Sequence, residues 1–593
     1  MSLLAVENLS IRYPDADEAA VKSIGFTLTR GQSLGIVGET GSGKTQTAMA
    51  LMGLTPDNAT VNGSIRVDGT ELRGAPQHVL NAFRARRMAM VFQDPMAALN
   101  PYVRIGKQLS RILLEHDLCD SGEARVRTLE MLARVGLPDP ERQFRAWPHQ
   151  LSGGMRQRVM IGAALLGEPD LLIADEPTTA LDVTVQAQIL ALLRRLRRDS
   201  DTALLLITHD LGVIAGSCER VLVMDRGEVV EEGDVGRVFR EPAHARTRAL
   251  LDAAPRPDAA ARAAPIAADA ENVLDVDSLT VSFAERRANA RQRLTALRSL
   301  TVTVSRGETL AIVGESGSGK TSLARAIVGL LPPDAGRIVI TGNAETRLVQ
   351  HRRAATHRAL QLVFQDPLSS LNPAMTVDEI VAEPLRVHAP DLDAGQRMKR
   401  RDAMLERVGL DRALGNRYPH ELSGGQAQRV AIARALILEP RILICDEATA
   451  ALDGTVQQSI LDLLMAEQRR SGLAIVFITH DLAVVRQISH RVLVMYMGRA
   501  VELAANDALF SYPRHPYTKA LLDAVPGLEP GSEQQEPEIF GEASSPLAPP
   551  PGCAFHPRCK HAVAVCSNEL PGTRKLDSDL VACHRAAELD LRK

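Results

Sequence analysis

The sequence predicts an α/β fold built twice in tandem on one chain, followed by a small cysteine-bearing segment. Three observations predict it. Five motifs occur in duplicate and in the same order; each copy holds short continuous apolar runs that end at glycine-rich or acidic turns; and 593 residues suffice for about four folding units. GETGSGKT at Gly38 to Thr45 recurs as GESGSGKT at Gly314 to Thr321, and FQDPMAALNP at Phe92 recurs as FQDPLSSLNP at Phe364. LSGGMRQRV at Leu151 returns as LSGGQAQRV at Leu422, LLIADEPTTALD at Leu171 as ILICDEATAALD at Ile442, and LLITHDL as VFITHDL. The duplicated unit is a whole domain.

Within each copy SLGIVG and TLAIVG read as strands that end at a glycine turn and lead into helices after Lys44 and Lys320. LLIAD, ILICD and the runs before THD are continuous apolar segments of strand length, as expected for strands buried on both faces of a sheet with substantial parallel character. Between the copies, residues 252–271 are rich in Ala and Pro without apolar periodicity, which suits a linker. A Pro/Glu/Ser-rich stretch follows the second copy. The expected boundaries are a first domain at 1–251, a linker at 252–271, a second domain at 272–525 and a C-terminal module at 526–593.

Composition narrows the function classes. With 69 Lys+Arg against 72 Asp+Glu the formal charge is −3, so no global basic excess points to a nucleic-acid-coating role. The longest apolar runs, Ala203 to Ile207 and Ala474 to Ile478, fall far short of the roughly 20 residues that cross a bilayer. The N-terminus lacks a charged region ahead of a long apolar stretch, so no secretory signal is expected. Arginine clusters at Arg84 to Arg87 and Arg194 to Arg198 read as solvated helix faces partnered by acids. Cys119, Cys218 and Cys445 read as small apolar fillers, while Cys553, Cys559, Cys566 and Cys583 crowd near the C-terminus.

The glycine loops carry the first chemistry. In GxxxxGK[ST] the glycines, here Gly38, Gly41, Gly43 and Gly314, Gly317, Gly319, turn successive backbone N–H groups toward phosphate oxygens at a helix N-terminus. Lys44 and Lys320 would reach the β- and γ-phosphates; Thr45 and Thr321 would hold Mg²⁺, with Asp175 and Asp446 as acidic partners. Ser152-Gly153-Gly154 and Ser423-Gly424-Gly425 each open a helix and offer a hydroxyl, close backbone approach and a helix dipole to anionic oxygen.

With LSGG placed before a Walker B strand in both copies, the chain resembles the ATP-binding cassette (ABC) proteins nearly end to end. The resemblance implies two P-loop cassettes packed head to tail, with ATP and Mg²⁺ as cofactors. One ATP site would combine Lys44, Thr45, Gln93, Asp175, Glu176 and His209 with Ser423 and Gly425; the other would combine Lys320, Thr321, Gln365, Asp446, Glu447 and His480 with Ser152 and Gly154. It further implies Glu176 and Glu447 as general bases, His209 and His480 as switch histidines, Gln93 and Gln365 beside the metal, and Tyr13 and Phe283 stacked on adenine. Met155 replaces the usual Gln of the first signature and Ala448 the usual Pro after Glu447; neither removes a phosphate, metal or base ligand. Both sites are expected to hydrolyse ATP.

QDPMAALNP, QDPLSSLNP and the segment YPRHPYTKALLDAVP from Tyr512 resemble the peptide and nickel importer group, with EPAHARTRALLDAAP a weakened first copy. That implies the fused ATPase subunit of a peptide importer. It would sit peripherally on the cytoplasmic face of the inner membrane, with two transmembrane permease subunits, an extracytoplasmic peptide-binding protein and no nucleic acid. The alternatives are energising nickel or other solute import, or a soluble tandem-cassette ATPase acting on ribosomes; the short Ala/Pro linker speaks against the last. The tail GEASSPLAPPPGCAFHPRC resembles the same group's C-terminal module. In some of its members matching cysteines bind a [4Fe–4S] cluster, which implies Cys553, Cys559, Cys566 and Cys583 as ligands here. Zn²⁺, recruiting His556, His561 or His584, is the alternative.

Overall fold

The computed structural model describes residues 2–592 except 15, 180, 258–260, 268, 288–289, 342–345, 349–357, 450–451 and 530–547. The Pro/Glu/Ser-rich stretch and part of the Ala/Pro linker thus lie outside the described residues.

The continuous apolar runs become the middle of two parallel sheets. In the first copy the strand order is Glu228–Asp234, Arg220–Asp225, Ser33–Gly38, Ala203–Thr208, Leu171–Asp175, Met88–Val91. Five strands run parallel, and Glu228–Asp234 is antiparallel at one edge. Every residue of Ser33–Gly38, Leu171–Asp175 and Ala203–Thr208 is buried, because both faces of the sheet are covered. Alternation decides which core each side chain joins. Ile36, Ile173 and Leu205 face a four-stranded antiparallel sheet containing Leu4–Arg12 and Val21–Leu28. Val37, Ala174 and Leu206 face the helices. The second copy repeats the plan in the order Leu360–Val363, Ile442–Asp446, Ala474–Ile478, Thr309–Val313, Arg491–Tyr496, Arg499–Ala505.

The helix that follows each copy packs in that copy's own core and also bridges to the other copy. Ala245–Ala253, which follows the first copy, packs on Gly454–Ser471 of the second; Pro516–Asp523, which follows the second, packs on Val183–Asp199 of the first. Ala524 joins Val183 and Ala187 in a small shared cluster. The duplicated ALLDA segments therefore hold the halves together across a pseudo-dyad. The linker lies along the second copy, where Arg262 pairs with Asp462 and the His490 imidazole meets the Ala264 carbonyl.

The C-terminal residues add strands to the second sheet. Arg574–Leu576 and Asp579–Val581 form an antiparallel pair, and Asp579–Val581 joins Arg499–Ala505 through the registers Glu502↔Val581 and Leu503↔Leu580. The corresponding first-copy strand, Glu228–Asp234, is the last of its sheet and carries Glu228, Glu231, Glu232 and Asp234. Such charge discourages pairing with another chain.

The arginine clusters are tied to their own chain: Arg84 donates to the Met52 and Gly53 carbonyls, Arg87 pairs with Asp170, and Arg197 pairs with Glu219. Burial pushes the Cys218 and Cys445 thiols up to about 12, as suits packing residues. Among the described residues no helix is long and apolar enough to cross a membrane.

Candidate functional site

Each glycine loop leaves a buried parallel strand and enters a helix that begins at the lysine, Lys44–Leu51 or Lys320–Ile327. The glycine before the lysine is obligatory. Gly43 and Gly319 have φ of 99° and 103°, and a Cβ there would lie 2.5 Å from the Ala20 carbonyl oxygen or 2.6 Å from that of Ala296. Lys44 Nζ donates to the carbonyls of Gly38 and Glu39 at 2.8 Å each; Lys320 Nζ donates to those of Gly314 and Glu315 at 2.7 and 3.0 Å. Burial lowers both ammonium pKa values, against the opposing pull of neighbouring carboxylates led by Glu176 and Asp182 respectively.

The expected hydroxyl–carboxylate pairs are brought together. Thr45 Oγ1 stands 3.3 Å from Asp175 Oδ1, and Thr321 Oγ1 stands 3.3 Å from Asp446 Oδ1. Burial raises the carboxyls, that of Asp175 to about 6. An all-oxygen pair of this kind fits a hard divalent cation, whose charge would return both carboxyls to the ionised form.

Glu176 and Glu447 follow these aspartates in left-handed backbone, φ 46° and 50°, a conformation that costs a side-chain-bearing residue energy. The conformation is held by their own N–H groups, which donate to Ile207 and Ile478 on the neighbouring strand. Gln93 Nε2 donates to Glu176 at 2.8 Å and Gln365 Nε2 to Glu447 at 2.7 Å. Both glutamines, expected beside the metal, thus turn their amides to the glutamates. His209 Nδ1 lies 3.2 Å from Glu176, and His480 Nδ1 lies 3.7 Å from Glu447. Burial tends to raise Glu176, but the hydrogen bond and charge of His209, helped by Thr179, hold it below the ordinary value; His480 does the same for Glu447. Both imidazoles are correspondingly raised. Thr179 Oγ1 also donates to Glu176, at 2.9 Å, where the second copy carries Ala450 and has no hydroxyl to offer.

Each site is completed from the other half of the chain. Asp453 Oδ1 accepts from Thr40 N at 2.8 Å and from the Thr40 hydroxyl at 2.7 Å, within the first glycine loop. Reciprocally, Asp182 accepts from Ser316 N at 2.8 Å and from the Ser316 hydroxyl at 3.2 Å in the second loop. Sequence reasoning missed these aspartates, although both end the repeated ALD of the Walker B segment. A cavity of ≈ 610 Å³ beside Lys320, within the roughly 300–1,000 Å³ range of small-molecule sites, is lined by Phe283, Thr321, Gln365, Glu447 and His480, and by Leu181 and Asp182 from the first copy. Tyr13 hydrogen-bonds Gln46 at the equivalent edge of the first site. Ser152, expected at this second site, is not among the residues lining the cavity; it and Ser423 cap their own helices, accepting from Met155 N and Gln426 N.

The ABC transporter family model matches residues 21–179 and 297–450, covering the glycine loops, the signatures and the Walker B strands of both copies. The chain belongs to the ABC transporter family. A second model, "Oligopeptide/dipeptide transporter, C-terminal region", matches residues 230–293 and 501–566 of this ABC protein. The ABC chain is 43% identical over 586 residues to a "Glutathione import ATP-binding protein GsiA" of Pectobacterium atrosepticum, covering 92% of the chain and 93% of that relative. It is also 43% identical over 581 residues to the protein of the same name from Escherichia coli K12, covering 91% and 92%. A solved structure titled as the dimeric post-hydrolysis state of the ATP-binding cassette MJ0796 bound to ADP and Pi is 28% identical. It covers 39% of this chain and 98% of its own, with a TM-score of 0.36.

The four C-terminal cysteines line one small cavity with His515, His556, His561 and His584. Burial raises the thiols of Cys553, Cys559 and Cys583, and backbone N–H groups of Phe555 and His556, of His561 and of Arg585 oppose it by donating to the three sulfurs. Among the described residues no group of three or more His, Cys, Asp or Glu side chains is arranged to hold a metal ion. The tail thus gathers the thiols without setting them in a ligating geometry.

Proposed function

We propose that this chain is the ATP-hydrolysing subunit of an importer of peptides, working through two ATP sites shared between its fused cassettes. The observation that carries the reading is reciprocal: Asp453 holds the first glycine loop and Asp182 the second, so each loop is ordered by the opposite cassette. Lys44 and Lys320, with the glycine-loop N–H groups, bind phosphate. Thr45 with Asp175, and Thr321 with Asp446, would hold Mg²⁺, which would supply neutralisation of phosphate charge; Gln93 and Gln365, whose amides donate to Glu176 and Glu447, would flank it. Glu176 and Glu447 accept the proton of the attacking water, and His209 and His480 hold those carboxylates ionised. Tyr13 and Phe283 stack on adenine. Ser423-Gly424-Gly425 and Ser152-Gly153-Gly154 swing onto the γ-phosphate of the opposite cassette when the halves close.

The subunit sits on the cytoplasmic face of the membrane beneath two permease subunits fed by an external binding protein. The printed name of its relatives puts glutathione among the peptide-class substrates to try first. The test reconstitutes the chain with two candidate permease subunits in proteoliposomes holding ATP inside and a candidate binding protein outside. ATP-dependent accumulation of labelled glutathione or short peptides supports the reading; co-purification with ribosomal RNA in place of permeases would reject it.

The domain scheme proposed is a first cassette at 1–251, a linker at 252–271, a second cassette at 272–525 and a cysteine module at 526–593. Cys553, Cys559, Cys566 and Cys583, which line one small cavity, are the ligand set proposed for a [4Fe–4S] cluster, Zn²⁺ being the alternative. Such a group would staple a segment with little core of its own. Anaerobically purified protein should be brown, with about four iron and four sulfide per chain as the formula requires; colourless protein with stoichiometric zinc would replace the cluster by the metal ion.

A further inference from the structure

The two glycine loops are steadied by different parts of the chain. In both, the residue after the first glycine is a glutamate whose carbonyl receives the P-loop lysine: Glu39 for Lys44 and Glu315 for Lys320. In the first cassette the Glu39 carboxylate pairs with Arg246, from the helix that follows that cassette, and Arg246 is also 3.4 Å from Asp225 at the end of the adjoining strand. In the repeat, Tyr517 stands at the position of Arg246 and Tyr496 at that of Asp225. The second cassette has lost both the arginine and its acid.

The arginine is replaced from elsewhere. Arg558, in the turn between Cys553 and Cys559, inserts into the second cassette and grips Glu315 with both nitrogens, Nη1 to Oε2 at 2.7 Å and Nη2 to Oε1 at 2.9 Å. The side chains are only 5% and 7% exposed. Phe555 from the same turn packs on Tyr496 and Tyr517, with ring centroids 5.5 and 5.3 Å apart, and the Tyr517 hydroxyl accepts from Glu315 N at 2.8 Å. The Glu315 carboxylate also accepts from Thr184 of the first cassette at 2.7 Å. A bidentate, dry guanidinium–carboxylate pair fixes geometry as well as charge.

We propose that Arg558 is a positioning residue for the second ATP site, and that the C-terminal segment is a working part of that site alone. The inference rests on the reading of the second glycine loop as a nucleotide site. Arg558 acts through Glu315, whose backbone carbonyl accepts from Lys320 Nζ. Removing it leaves a buried carboxylate free to repel phosphate and draws the loop away from its set conformation.

The test maps 8-azido-ATP photolabelling to peptides of each cassette in the full chain, titrated with nucleotide. R558A should weaken labelling at the second site about tenfold, as expected for loss of a charge-assisted bond, and leave the first within twofold. R246A should do the reverse. At saturating nucleotide the turnover assigned to site two should recover most of its wild-type value, so the defect lies in KM more than in kcat. Hydrogen exchange across Arg574–Val581 reports whether the segment stays docked. R558K, docked by that measure and keeping the charge without the fork, should lose several-fold at site two. Unchanged labelling at site two in docked R558A or R558K, or an equal fall at both sites, would overturn the proposal. Wild-type chain that labels at no residue of the second cassette would instead overturn the nucleotide reading, and the proposal with it.

Discussion

Glutamine at both Glu176 and Glu447 should cut ATP turnover by on the order of 10²- to 10⁴-fold, the range a positioned general base supplies, with nucleotide binding retained. The expectation rests on where the two carboxylates are held. Each sits in a left-handed turn pinned by a backbone hydrogen bond to the THD strand, and each is kept ionised by a histidine. Glutamine preserves size and the ability to meet Gln93 or Gln365, so the loss isolates proton acceptance from packing. The single changes should each silence one site. Steady-state phosphate release from the two single variants and the double variant measures the effect; a double variant with turnover within threefold of wild type would remove both glutamates from the role of base.

The next largest effect should come from alanine at Asp453 or Asp182, and it should appear in the opposite cassette. Asp453→Ala removes the acceptor for both the amide and the hydroxyl of Thr40, and so should weaken ATP binding and turnover at the first glycine loop by about 10- to 100-fold, given about 1.5–3 kcal/mol for hydrogen bonds to a charged group. Asp182→Ala should do the same at the second loop through Ser316. Per-site nucleotide occupancy reads this directly. If Asp453→Ala instead impaired the second loop, whose lysine lies in its own cassette, the shared-site arrangement would be wrong.

Much of this architecture was legible in the sequence. The duplicated glycine loops, the buried Walker B strands and the acidic residues after them are continuous runs in which local pattern and final contact coincide. Thr45 and Asp175 could be paired from spacing and chemistry alone because one parallel sheet delivers both to the same strand ends. The antiparallel sheets are less legible, though VKSIGFTL alternates as its burial does, because their strands carry none of the duplicated motifs. Asp182 and Asp453 were printed in both repeats but could not be given a role, since their partners lie across a pseudo-dyad more than a hundred residues away in sequence. Arg558 was hidden more deeply. Its signal was a difference between the copies, Arg246 against Tyr517, and only the fold shows which residue takes the vacated place. The cysteines were read as a group, and the structure gathers them round one cavity without giving them a ligating arrangement.

The bridging helices set a timetable for the newborn chain. Ala245–Ala253 leaves the ribosome long before Gly454–Ser471, the surface it packs against, has been made. At about 5–20 residues per second, that interval is on the order of ten to forty seconds. Throughout it only the side of that helix that meets the second copy lies bare, because Leu251 is already seated in the first copy's own core. Fusion of the two halves shortens the search once the second emerges, because the partner is tethered rather than diffusing.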